Sequence, residues 1–261
     1  MTTSGPKRVP AVQSALAILE FLRSVDNEPM TLSAIARGTG LNVSTCFNIL
    51  KTLEEGLVVT LDPGTKTYRL GLRLAEFGRL VDGRSQAVPL VLEEARRVTD
   101  MVGLGCYVMA LDGAEHFVVL DKVDSRNPIR VTIDRGATFP LTGAVAAKAW
   151  FAWSPPDVVD ELVSHHALPH RTARSITDTR AFRRELATTR ERGYSTSLGE
   201  YYPGHNAVAA PVFGPGGSPQ FLLVVVGAEA ELMGARMAEV GEEIRAAAER
   251  ATKRIGGEQP Q

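Results

Sequence analysis

Apolar residues recur three and four positions apart over residues 11–25, at Val12, Leu16, Ile18, Leu19, Phe21 and Leu22. That is the period of a helix packed by one face. Asp26-Asn-Glu-Pro29 ends it. A shorter helix is expected after Thr31, a good N-cap by type, with Leu32, Ile35 and Ala36 as its apolar stripe and Gly38-Thr-Gly40 as the turn that follows. Asn42 is placed to cap a third helix over residues 43–55. There Val43, Phe47, Ile49, Leu50 and Leu53 read as inward, Ser44, Thr45, Asn48 and Lys51 as outward, and Gly56 as the C′ residue.

Residues 57–60 and 66–70 are rich in β-formers and flank Asp62-Pro-Gly-Thr65, so they read as a hairpin. Two helices joined by a Gly turn, the second with short polar residues at its start, form the geometry that sets a recognition helix in the DNA major groove, and the hairpin then serves as a wing. Each piece alone has an ordinary structural reading as core, cap or solvated charge. Their order within about sixty residues is what points to DNA. Lys51, Lys66 and Arg69 are assigned to phosphates; Ser44 and Thr45 go to base edges or phosphates, without a choice between them.

The run 70–81 predicts a linker helix and 82–86 a hinge, followed by a helix over 88–101 with Pro89 in its first turn and Leu90, Leu92, Ala95 and Val98 inward. Strands are expected at 106–111, 116–123, 129–133, 207–213 and 220–226, with turns at 112–115 and 214–219. Helices are expected at 145–153, 156–164, 178–192 and 234–254. Strands in meander broken by helices describe an α+β domain with an antiparallel sheet covered on at least one face.

Net charge is −1, which by itself does not favour a polyanion partner. The distribution is uneven: residues 1–84 carry ten Lys and Arg against eight Asp and Glu, and residues 85–261 carry nineteen against twenty-two. Two cysteines, Cys46 and Cys106, are too few for a disulfide framework or a cysteine zinc site. No apolar run is long enough to span a membrane, and the first eight residues lack the apolar core of a secretory signal, so the chain is expected in the cytoplasm with no membrane partner. No phosphate-binding Gly loop, GxSxG elbow, HExxH or kinase signature occurs, so an enzyme is not expected. His165-His-Ala-Leu-Pro-His170 has two histidines four apart, but Pro169 interrupts the helix a zinc site would need, and neither a metal nor another cofactor is expected.

The stretches Val12-Gln-Ser-Ala-Leu-Ala-Ile-Leu-Glu20, Leu32-Ser-Ala-Ile-Ala36, Leu41-Asn-Val-Ser-Thr45, Leu50-Lys-Thr-Leu-Glu-Glu-Gly-Leu57 and Tyr68-Arg-Leu-Gly-Leu-Arg-Leu74 resemble the IclR family of regulators. So do Asp121-Lys-Val123, Gly136-Ala-Thr-Phe-Pro-Leu141, Ile176-Thr-Asp178, Arg192-Gly-Tyr194, Pro203-Gly204 and Ala209-Ala-Pro-Val212 in the second half. The resemblance implies a winged helix-turn-helix over 9–70, a linker helix and hinge over 71–86, and a GAF-like effector-binding domain over 87–256. It also implies a palindromic double-stranded DNA operator, a small-molecule effector, and a homodimer or dimer of dimers.

The family usually has a basic residue where Asn48 stands; Asn pairs with adenine N6 and N7, so a different base preference is expected. Carried over by position, the effector pocket is lined by Val145, Ala146, Ser197, His205, Asn206, Ala207, Val224 and Val226. Binders of small acids such as pyruvate or glyoxylate carry an acidic group, a thiol and hydroxyls at positions where this chain has Ser197, Ala207, Val224 and Val226. A buried carboxylate needs donors, so the loss of hydroxyl and thiol points to a more apolar effector, an aromatic or branched acid oriented by Ser197, His205 or Asn206. Val224 and Val226 are equally readable as plain core. An enzyme with an accessory helical domain, a winged-helix protein-interaction module, and an activator in place of a repressor remain the rival readings.

Overall fold

The computed structural model describes residues 9–25, 27–80, 84–113 and 116–260. Two compact units divide the chain, residues 1–85 and 86–261.

In the first unit, α1 (Pro10–Ser24), α2 (Leu32–Thr39) and α3 (Val43–Glu55) precede the wing strands β2 (Val59–Asp62) and β3 (Thr67–Leu70). A short strand β1 (Met30–Thr31) pairs with the far edge of β3, giving an antiparallel order β1-β3-β2 that the hairpin pattern had not suggested. Caps fall where residue chemistry placed them. Thr31 Oγ1 accepts from the Ala34 N–H at 3.3 Å, and Asn42 Oδ1 accepts from the Thr45 N–H at 2.8 Å. The core joins Ile18 and Leu22, Ile35 and Ala36, Cys46 and Leu50, Val59 and Tyr68.

Three local expectations are corrected. Gly38 lies inside α2, and the turn begins at Gly40, whose φ of 69° forms the left-handed cap. Gly56 has φ −79°, so it is not the C′ residue. That conformation passes to Leu57 at φ 59°, with Leu57 N–H bonded to Glu54 O and Val58 N–H to Leu53 O, the paired bonds of a Schellman ending. Finally, Val12 and Leu16 on α1, and Val43 and Phe47 on α3, are exposed; α1 packs through Ile18 and Leu22, and α3 through Cys46 and Leu50. Helix α4 (Arg73–Leu80) follows the hairpin. The expected linker helix over 70–81 begins only at Arg73, since Leu70 ends β3; Val81, and residues 82 and 83 of the expected hinge, lie outside the described residues, and 84–86 are helical. Asp26 and residues 114–115 also lie outside them.

The second unit is built on a six-stranded antiparallel sheet of order β6-β5-β4-β9-β8-β7. Its strands are β4 (Gly105–Asp112), β5 (His116–Val123), β6 (Thr138–Pro140), β7 (Ser195–Leu198), β8 (His205–Phe213) and β9 (Pro219–Ala228). Residues 129–133 are irregular instead of the expected strand, and the edge strands β6 and β7 are new. Both faces are covered. Helices α5 (Arg84–Val102) and α9 (Gly234–Arg254) bury Val91, Ala95, Val98, Val240, Ile244 and Ala247 against Cys106, Val108, Val208, Ala210, Leu223 and Val225. The other face packs α6 (Ala144–Phe151), α7 (Pro156–His165) and α8 (Thr179–Arg192) over Tyr107, Met109, Phe117, Ala209, Leu222 and Val224. No helix of the described residues is long and apolar enough to cross a membrane.

Candidate functional site

Two sites were expected, one in each unit. On α3, positions 44, 48 and 51 stack on one ridge because residues four and three apart share a helix face. Ser44, Asn48 and Lys51 are exposed there, whereas Thr45 is half-buried. The Ser44 hydroxyl donates to Asn42 Oδ1 at 2.9 Å, so the N-cap also orients it. Lys51 Nζ lies 3.1 Å from the Glu54 carboxylate, which raises the ammonium pKa and leaves a rim pair easily exchanged for a phosphate.

Lys66 and Arg69 are exposed at the turn and on β3 of the wing. The Asp62 carboxylate holds that turn by accepting from the Thr65 and Gly64 N–H groups, at 3.2 and 2.8 Å, and those bonds lower its pKa. Lys66 itself takes φ 54°, and its N–H donates to Asp62 O.

In the second unit, strand alternation gathers the expected effector residues. Ser197 opposes Ala207, and Ala207 opposes Val226, so these three form one row across β7, β8 and β9. Val224 stands in the next row, opposite Ala209 and Tyr107. His205, two residues before Ala207, shares that face. Above it stands the start of α6, held down where the Ser195 hydroxyl donates to Val145 O at 2.7 Å. The eight expected positions border one cavity of about 70 Å³, together with Met109, Ile133, Phe139, Gly143, Tyr201 and Tyr202. Val224 and Val226 therefore serve both readings: Val224 belongs to the core under α6 and Val226 packs against it, and both face the cavity.

Asn206 is the exception in orientation. Alternation turns its side chain to the α9 face, where Nδ2 donates to Leu232 O at 2.7 Å. Polar side chains on the cavity face include Ser197, buried, and His205, whose Nδ1 lies 3.0 Å from Pro203 O. A carbonyl only accepts, so Nδ1 is the donor in that bond. Helix α6 adds backbone donors: Gly143, its N-cap, gives no side-chain cap, and the N–H groups of Val145 and Ala146 in the first turn lack intrahelical partners. No Lys or Arg borders the cavity.

The rings are what sequence reasoning missed. Phe139, Tyr201, Tyr202 and His205 form a chain of edge-to-face and tilted contacts, with centroids 5.6, 4.9 and 6.5 Å apart, and the Arg171 guanidinium lies 4.7 Å over Tyr201. Adjacent Tyr201-Tyr202 was the available signal, but they lie in a loop with no periodicity. That loop is anchored by Glu200, whose carboxylate accepts from the buried Lys148 ammonium at 2.7 and 2.9 Å, and whose carbonyl accepts from the Ser175 hydroxyl.

Larger hollows exist elsewhere. A trough of about 470 Å³ beside α8 and α9 is lined by charged side chains, among them Arg245 paired with Glu242 and Glu249. His165 bonds back to Glu161 O at the end of α7, and no group of three or more metal-ligating side chains is gathered among the described residues.

Comparison with known proteins places these sites in context. The family model for the bacterial transcriptional regulator IclR C-terminal domain matches residues 87–253, and the IclR helix-turn-helix domain matches residues 11–63. The probable transcriptional regulator SauR of Cupriavidus necator is 31% identical over 204 residues, covering 77% of this chain and 79% of that protein. The solved IclR transcriptional regulator from Alicyclobacillus acidocaldarius superposes with a TM-score of 0.75 at 26% identity, covering 96% of this chain and 100% of that one. An IclR homolog from Microbacterium hydrocarbonoxydans, complexed with 4-hydroxybenzoate, has the same TM-score at 20% identity, covering 94% and 99%, and shares the fold.

Proposed function

This chain belongs to the IclR family of bacterial transcription regulators, and from that premise we propose that an aromatic or branched organic acid, bound in the sheet-face cavity, controls its affinity for a palindromic operator. The protein is a DNA-binding regulator and not an enzyme. The observation that carries the effector reading is the cavity wall: Phe139, Tyr201, Tyr202, Met109 and Ile133 face Val224, Val226 and Ala207, with no cation among them. A carboxylate entering such a space needs donors, and the first-turn N–H groups of α6 and the Ser197 hydroxyl supply them while the helix dipole favours the charge. The IclR homolog of the same fold from Microbacterium hydrocarbonoxydans was solved in complex with 4-hydroxybenzoate, an aromatic acid.

The protein acts as a cytoplasmic repressor and as a homodimer, alone or paired into a dimer of dimers. Val12 and Leu16 of α1, 55% and 57% exposed, and Leu72 and Phe77 at α4 supply apolar surface for self-association. Paired recognition helices then meet half-sites about 34 Å apart or a multiple of that. Effector binding shifts the population between two arrangements of the dimer, and α4 relays the shift to the spacing of the recognition helices. Only a difference in effector affinity between the arrangements moves the equilibrium.

Thermal unfolding against an acid panel tests this. Saturating 4-hydroxybenzoate or a related aromatic or branched acid raises Tm by roughly 5 °C, as about 2 kcal/mol of ligand linkage does for a unit of this size. Stabilisation by pyruvate or glyoxylate alone overturns the effector class.

A further inference from the structure

Helix α3 shows an apolar group where an amphipathic helix would have a polar one. Its buried side is complete without Phe47: Cys46 and Leu50 are fully buried, with Ile49 and Leu53 partly so. Phe47 is 47% exposed and Val43, one turn before it, 52%. Phe47 sits between Ser44 and Lys51 and beside Asn48 on the same ridge, since positions 44, 47, 48 and 51 follow the helical repeat. Isolated exposed apolar residues are common on protein surfaces. This pair instead occupies the middle of the surface that the helix-turn-helix presents to DNA, next to an exposed carboxamide, with Lys66 and Arg69 exposed on the wing. The thymine C5-methyl is the apolar group on base-pair edges in the major groove, and aromatic side chains contact it.

We propose that Phe47, backed by Val43, is a specificity-determining residue that packs on a thymine methyl in each half-site, next to the adenine that Asn48 reads. The proposal rests on the operator reading above. It differs from that reading in predicting a methyl requirement that no polar contact explains. Asn48 selects by hydrogen bonds to N6 and N7, whereas Phe47 selects by shape and desolvation and is indifferent to every group on thymine except the methyl.

Duplexes selected from a random pool by the full-length protein supply the operator. Each thymine is then replaced singly by deoxyuridine, which keeps base pairing and removes only the methyl. Wild-type protein is expected to lose about fourfold in affinity at one thymine per half-site, as for one buried methyl. Phe47→Ala binds the parent operator more weakly and loses no further affinity at that thymine, while Phe47→Leu, which keeps an apolar side chain, retains part of the discrimination. Circular dichroism on both variants checks that helix content is unchanged.

Tolerance of deoxyuridine at every position, or the same penalty in Phe47→Ala as in wild type, overturns the proposal and leaves the operator reading standing. A change in sedimentation of Phe47→Ala without a change in the deoxyuridine pattern overturns it in favour of a protein contact. Failure to enrich any duplex sinks the operator reading, and this proposal with it.

Discussion

Leu57 carries the left-handed backbone at the end of α3, a conformation that costs an L-residue about 1 kcal/mol or more and glycine little. Its side chain is 58% exposed, so removing it forfeits little packing. Glycine also loses more entropy on folding, by about 0.4–1 kcal/mol, which offsets part of the gain. Leu57→Gly is therefore expected to stabilise the first unit by about 0.5 kcal/mol in urea unfolding; a loss of stability would show that the leucine makes a packing contribution its exposure conceals. The neighbouring Gly56, with φ −79°, is replaceable without that strain. Adjacent residues thus exchange the roles that their types suggest, because helix length, set by how far α3 packs, decides which of them falls one past the cap.

At the scale of elements, the wing and α4 meet at Gly71. A Cβ built there would lie 2.2 Å from the Leu57 carbonyl oxygen, while the Gly71 N–H donates to Val58 O at 2.8 Å. The strand end is thus pressed against the backbone that follows α3, and no rotamer change relieves the overlap. Gly71→Ala is expected to cost about 2 kcal/mol, the scale of overpacking strain, seen as a lower midpoint of the first unit's unfolding. An unchanged midpoint would mean the hairpin shifts without penalty. Among helices of the second unit, α5 and α9 are joined through Glu94, a fully buried carboxylate that accepts from Arg97, Arg250 and Arg254. A charge so deep persists because three guanidinium groups replace its water.

At the scale of the molecule, the proposed operator face and the proposed effector cavity lie in separate compact units, and the loop that lines the cavity is held by an ion pair between distant parts of one unit. Lys148 on α6, with its side chain 1% exposed, holds Glu200 at the start of the loop bearing Tyr201 and Tyr202. Removing one partner of a buried pair leaves the other charge uncompensated, at about 3–5 kcal/mol. Lys148→Met is expected to destabilise the second unit by that amount and to weaken effector binding, since the aromatic wall loses its anchor. The double variant Lys148→Met/Glu200→Gln regains more than half the stability but not the binding. Equal stability of the two variants, measured by urea unfolding, would show that Glu200 is not left as an uncompensated charge when Lys148 is removed.

How much of this was legible from residues alone follows the range of the interactions. Thr31 and Asn42 were readable as caps because a cap is chemistry within three residues; α9 was readable to its ends because its apolar period is long. The cavity-lining positions at Ser197, Ala207 and Val226 came from family resemblance, and their meeting in one row required β7, β8 and β9 to pair in a particular register. β6 and β7, with 3 and 4 residues, are too short to show alternation, and 129–133 has the composition of a strand but joins no ladder. Phe47 and Val43 satisfy the helical period, which is a local property that says a helix has an apolar side and not which of two adjacent stripes the core takes. Sequence thus determined the long helices, the caps at Thr31 and Asn42, and the central strands in their order. Tertiary structure alone decided which faces are buried and which rings close over the cavity, because burial is settled by what a face packs against, and the partners lie far away along the chain.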